Sequence, residues 1–112
     1  FPTYPLPYEV DQKTDRAEIC IGTDAYHTPI EISTALVSFF EGANFSVAVD
    51  RPFSGSIVPM KYWRKEPKIR SVMIEVRRDL YMNEETGEKS HDFENIKGTM
   101  RASIRKLIDL TS

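Results

Sequence analysis

The sequence predicts a small α/β domain, and three observations carry that expectation: short β-branched runs, well-signalled helical stripes between and after them, and a length suited to one core. At 112 residues, with 40% hydrophobic and 11% aromatic side chains, the chain is sized for a single compact unit over 1–112. Strands separated by helices are the signature of α/β layers.

Residues 1–17 hold three of the seven prolines and then a charged stretch from Glu9 to Arg16, a composition that predicts an extended loop or linker. Glu18-Ile19-Cys20-Ile21-Gly22 is a short apolar run closed by glycine, read as a buried strand. Thr28-Pro29-Ile30-Glu31 follows, offering a capping hydroxyl, proline at the first helical position and a carboxylate three residues after the cap. Ile32, Ala35, Leu36, Phe39 and Phe40 then form an apolar stripe that ends at Gly42. Phe45, Val47 and Val49 alternate with Ser46, Ala48 and Asp50, the period of a strand, until Arg51-Pro52 stops it. A third strand is expected over Ser71 to Val76, and a polar turn over Asn83 to Ser90 with Thr86-Gly87 at its tip. Phe93, Ile96, Met100, Ile104 and Ile108 predict a final helix reaching the C-terminus, weakened by about 1 kcal/mol at Gly98 relative to alanine.

Composition removes several functions. With 15 basic against 17 acidic residues, no global positive field gathers phosphate or anionic lipid. No apolar run approaches the roughly 18 residues a membrane helix needs. Cys20 is the single cysteine, so neither an intrachain disulfide nor a cysteine metal cluster can form, which fits a reducing, cytoplasmic setting. His27 and His91 belong to no recognisable ligand pair, and no complete metal site is expected within the chain. Lys61 to Arg70 mixes five basic residues with Tyr62 and Trp63, a pattern able to stack on single-stranded nucleic acid, though a solvated loop suits the acidic whole better.

The strongest chemical signal is Glu75. A carboxylate flanked by Met73, Ile74 and Val76 is costly to desolvate without a partner, and at a strand end it could take a proton from water and return it to a leaving amine. The plain alternative is a strand glutamate facing solvent. Arg77 and Arg78 follow, suited to neutralising Glu75, gripping a carboxylate, or simply ending the strand. The loop from Arg51 to Pro59 has the makings of a ligand loop, with Ser54, Gly55 and Ser56 directly after a strand, yet it lacks the G-x-S-x-G spacing of a serine nucleophile. Thr23 and Asp24 lie where a strand meets a helix, the usual side of a binding crevice in open α/β sheets.

Pro52-Phe53-Ser54-Gly55, then Met73-Ile74-Glu75-Val76, Arg78 and Leu80-Tyr81-Met82, resemble the C-terminal motifs of N-formylglutamate amidohydrolases in order and spacing. Glu18 to Asp24 with His27-Thr28-Pro29 resembles the family's segment ahead of the following helix, so the likeness spans nearly the whole chain. The resemblance implies the C-terminal portion of a hydrolase with a fold like the zinc carboxypeptidases, a mixed sheet flanked by helices, cleaving an N-formyl or N-acyl amino acid by metal-activated water. It implies Glu75 as general base and acid, Arg78 and Tyr81 as orienting groups, and Thr23, Asp24, Ser54 and Gly55 at the substrate pocket. Arg77 stands where the family's pattern has asparagine, and so does Asp50. The family's zinc ligands are expected in a missing N-terminal portion, in histidine motifs of which the last ends just before Phe1. The chain alone would then be inactive, with exposed sheet edges that favour self-association. The competing reading is a non-catalytic α/β module that binds a carboxylate ligand or a partner chain.

Overall fold

A computed structural model describes residues 1–111, leaving Ser112 outside the described residues. Strand β1 (Ile19–Gly22) leads into helix α1 (Ile30–Gly42) and strand β2 (Val47–Val49), and strand β3 (Met73–Val76) precedes a short 3₁₀ turn (Arg78–Leu80) and helix α2 (Phe93–Thr111). The sheet is mixed, in the order β2-β1-β3: β1 runs parallel to β2 and antiparallel to β3. Each expected strand and helix is present, with strands a residue or two shorter than their apolar runs.

The register pairs Ile19 with Val76 and Ile21 with Ile74, placing all four on one face. There they meet Ile32, Leu36 and Phe40 of α1, and Met100 and Leu107 of α2. Cys20 and Glu75, paired in the same ladder, share the opposite face. Both helices therefore cover one face, where a sheet flanked by helices was expected. The other face is closed by irregular chain: the Cys20 thiol donates to the Phe53 carbonyl at 3.2 Å, and the Phe53 ring meets Phe1 edge-on at 5.8 Å. Proline-rich composition keeps these covering segments out of regular structure.

Three further expectations change. Thr28 does not cap α1, whose N-cap is Pro29 without a side-chain bond. Its hydroxyl instead donates across to the Ser71 carbonyl at 2.6 Å and accepts from the Asp24 N–H at 2.8 Å, tying the helix entrance to the approach to β3. Residues 1–17 are irregular yet not a free linker, because Arg16 is only 7% exposed. Its guanidinium binds Glu9 at 3.0 Å and the Pro2 carbonyl at 3.1 Å, and lies within 6 Å of the Phe1 and Phe53 rings. On α2 the stripe turns away from Ile104 and Ile108, which are 53% and 59% exposed, towards Ile96, Met100, Ser103 and Leu107. A row of four-residue steps drifts by about 40° at each step, whereas alternating steps of four and three keep facing the same neighbour.

Several carboxylates are held below their ordinary range by hydrogen bonds: Asp79 by the Arg77 guanidinium, Asp24 by the backbone N–H groups of His27 and Tyr26, and Asp15 by Arg51. Such groups contribute stability above the unfolded value, 3.8 for aspartate, and that contribution is lost as pH falls through the folded values. Urea midpoints should stay level from about pH 7 to 5 and then fall below about pH 4; a protein equally stable at about pH 3 would contradict the assignment.

Candidate functional site

Glu75 occupies the third position of β3, inside the strand and not at its end. Its half-buried carboxylate has no hydrogen bond or ion pair among the described residues. It lines an open groove of about 510 Å³ along the outer side of β3, together with Phe1, Val76, Tyr81 and, from α2, Phe93, Ile96, Lys97 and Met100. The Tyr81 ring packs edge-on against Phe93 at 6.4 Å, which fixes the groove's end. Lys97 is a cation that sequence reasoning missed. Its only signal is its place on α2 beside the buried Ile96.

Neither neighbouring arginine pairs with Glu75. Arg77 forms a two-pronged contact with Asp79 at 2.7 and 3.1 Å and donates to the Arg16 carbonyl at 2.6 Å. Arg78 approaches Glu84 at 3.4 Å while its backbone N–H donates to the Phe1 carbonyl at 2.6 Å. Asp79 takes up the Arg77 guanidinium, whereas Arg78 meets Glu84 only loosely and its Nε is left without a hydrogen bond.

The remaining expected site residues gather elsewhere. Because β3 is antiparallel to β1, its C-terminal end lies beside the start of β1, next to Glu18, whose carbonyl accepts from the Arg77 N–H at 2.9 Å. Arg78 and Tyr81 follow from that end. Thr23 and Asp24 leave from the other end, three and four residues beyond the Cys20 that pairs with Glu75, a separation of about 10 Å or more along the strand. The Thr23 carbonyl accepts from the Gly55 N–H at 3.1 Å, and the Asp50 carboxylate binds the Thr23 N–H at 2.7 Å and hydroxyl at 2.5 Å. Thr23 and Gly55 are thus brought together with Asp50, and Ser54 is exposed beside them, while Glu75 and Tyr81 form a second group.

Gly22 makes the first cluster sterically feasible. A Cβ there would overlap the Gly55 carbonyl and come within 2.5 Å of the Met73 terminal methyl. Gly22→Ala should cost about 1–3 kcal/mol and push the 51–59 loop off β1. Gly98→Ala, with open space around it, should instead gain up to about 1 kcal/mol; equal denaturation midpoints for the two variants would count against this packing.

His27 is 1% exposed and belongs to a clamp on the basic segment. Its Nε2 accepts the Arg64 N–H at 2.8 Å, so Nδ1 carries the proton and donates to the Ile69 carbonyl at 2.7 Å. Tyr26 packs against the ring at 4.6 Å, and within the segment Lys61 lies over Tyr62 and Arg64 over Trp63. The aromatic and cationic groups whose pattern is able to stack on nucleic acid are therefore partly occupied with one another. His27→Ala should cost about 3 kcal/mol, from a cavity and two lost hydrogen bonds, and should quicken trypsin cleavage within 61–70. Unchanged cleavage would show that the segment is held by other contacts.

Among the described residues no three of His, Cys, Asp or Glu converge in a group that could hold a metal ion. No described helix is long and apolar enough to cross a membrane. The fold and groove define an α/β unit with a strand-borne, unpaired carboxylate facing open space at a sheet edge.

The N-formylglutamate amidohydrolase family profile matches residues 1–82. The chain belongs to that family. The fold is similar to the crystal structure of N-formylglutamate amidohydrolase from Ralstonia eutropha JMP134, with a TM-score of 0.75 and 20% identity. The match covers 88% of this chain and 36% of that protein, so the chain spans little more than a third of its structural relative. No curated protein matches the sequence.

Proposed function

We propose that the chain is the C-terminal portion of a zinc-dependent amidohydrolase that cleaves the C–N bond of an N-formyl or N-acyl amino acid, with a fold of the zinc-carboxypeptidase kind. The observation that carries this reading is the unpaired Glu75 carboxylate in the 510 Å³ groove, within a chain whose family is established. A free carboxylate of this kind can accept a proton from an attacking water and deliver it to the departing amine. Tyr81, on the same groove, is the group assigned to orient the substrate beside it, with Arg78 just outside as the cation for the substrate carboxylate. Thr23, Asp24, Ser54 and Gly55 are assigned to the outer border, the role their separation from Glu75 allows.

The metal is assigned to histidines outside these residues, because none of the described clusters can ligate it. The proposed compartment is the cytoplasm, which the buried free thiol of Cys20 suits. The experiment is formate release from N-formyl amino acids by the longer protein, with metal analysis and chelation alongside. Stoichiometric zinc and chelator-sensitive release support the reading. Tight binding of the same compounds without release would favour the non-catalytic module instead.

A further inference from the structure

We propose that the loop from Ile57 to Ser71 docks on an anionic phospholipid surface: its cations gather at the lipid phosphates while Ile57, Met60 and Trp63 enter the headgroup layer. The inference goes beyond the hydrolytic reading and does not depend on it.

The segment closes on itself. The Ser71 hydroxyl donates to the Ile57 carbonyl at 2.8 Å across a span of 14 residues, which makes the stretch an Ω-loop. Its middle is fastened to the buried His27 ring through the Arg64 N–H and the Ile69 carbonyl. Within it the Trp63 N–H donates to the Pro59 and Met60 carbonyls at 3.1 and 3.3 Å, so Met60 and Trp63 belong to one tight turn. A loop already held in shape gives up little conformational freedom when it docks.

Charge singles this loop out. It carries Lys61, Arg64, Lys65, Lys68 and Arg70 against Glu66 alone, a net of +4 in a chain whose total is −2. None of the five forms an ion pair among the described residues. The near balance of the whole chain averages this local excess away. The two signs also lie apart. The loop stands at the end of β1 where Gly22 pairs with Met73, whereas Glu84, Glu85, Glu88, Asp92 and Glu94 follow the opposite end of β3. An anionic surface therefore turns the loop towards itself and the acidic stretch away.

Shape decides between anionic partners. Ile57 and Met60 are 92% and 81% exposed, and Trp63 is 41% exposed. Aliphatic side chains that stand so far out of the fold offer no concave seat for the side chains of an acidic peptide. Nucleobases need open aromatic faces, and here Lys61 lies over Tyr62 at 4.8 Å and Arg64 over Trp63 at 4.7 Å. A lipid surface needs neither. It closes around protruding apolar groups, takes tryptophan at headgroup level and pairs its phosphates with the surrounding lysines and arginines.

The test is sedimentation of the full-length protein with vesicles of phosphatidylcholine alone or with about 30% phosphatidylserine added. Binding to the anionic vesicles should be at least about tenfold tighter than to the neutral ones, and should weaken by a similar factor at about 0.5 M salt. The triple variant Lys61→Gln, Lys65→Gln, Lys68→Gln and, separately, the double variant Ile57→Asp, Met60→Asp should each lose at least about tenfold in vesicle binding. Urea midpoints should stay level in both, because all five side chains are exposed. Equal sedimentation with the two kinds of vesicle overturns the proposal. Full binding by the double variant also overturns it, because the apolar groups would then take no part. Tighter capture by polyglutamate or by an oligothymidylate than by the anionic vesicles overturns it as well, by assigning the loop to a protein or a nucleic-acid partner. No substrate enters these measurements: a protein that docks and releases no formate keeps this proposal and loses the amidohydrolase reading.

Discussion

Phe40→Ala is expected to lower the unfolding free energy by about 4 kcal/mol, to be read from the urea midpoint. Phe40 is fully buried, meets Phe39 and Phe45 edge-on at 5.2 and 6.3 Å, and joins α1 to Ile19 and Ile21. Truncation removes the burial of a whole ring and leaves a void that the close-packed sheet face cannot fill. Against a typical total of about 5–15 kcal/mol for a domain, the loss is a large fraction. Ile104→Ala provides the contrast, since that side chain is half exposed and its removal should change stability by less than about 1 kcal/mol. A result in which both variants cost the same would place the core seam of α2 on the wrong row.

How far the sequence spoke for itself depends on the kind of information asked of it. Ile19 to Gly22 and Met73 to Val76 announced themselves as strands through β-branched content, and the stripe from Ile32 to Phe40 announced α1 through its period. These are local signals. Strand direction is not local: nothing in Met73-Ile74-Glu75-Val76 states that the run is antiparallel to β1, yet that polarity alone separates Thr23 and Gly55 from Arg78 and Tyr81. Arg16 was hidden for a related reason, because its partners Phe1 and Phe53 come from distant positions and its own segment reads as proline-rich linker. The hydroxyl of Thr28 had two physically sound uses, and tertiary contact with Ser71 chose between them. Glu75 was legible because a charge inside an apolar run is conspicuous, while Lys97, one of several charges on an amphipathic helix, was not.

Glu75→Gln in the full-length protein is expected to lower kcat/KM for an N-formyl amino acid by a factor of about 10²–10⁴, the range for loss of a general acid–base group. The amide keeps the size and shape of the side chain but cannot accept the water's proton, so the effect should fall on kcat with little change in KM. Glu75 makes no bond or ion pair among the described residues, and stability should therefore move by less than about 1 kcal/mol. That combination sets a chemical role apart from a structural one, since a residue that merely braces β3 would lose stability and activity together. Tyr81→Phe, which keeps the ring against Phe93, should give a smaller loss if the hydroxyl only orients the substrate.

The role of Glu75 is tested most directly by the rate of formate release from N-formyl-L-glutamate by the full-length protein and its Glu75→Gln variant, measured side by side with their urea midpoints. Release by the former, a loss of at least about a hundredfold in the latter, and coincident midpoints are the expected result. Equal rates from the two proteins would remove Glu75 from the chemistry and the proposed mechanism with it.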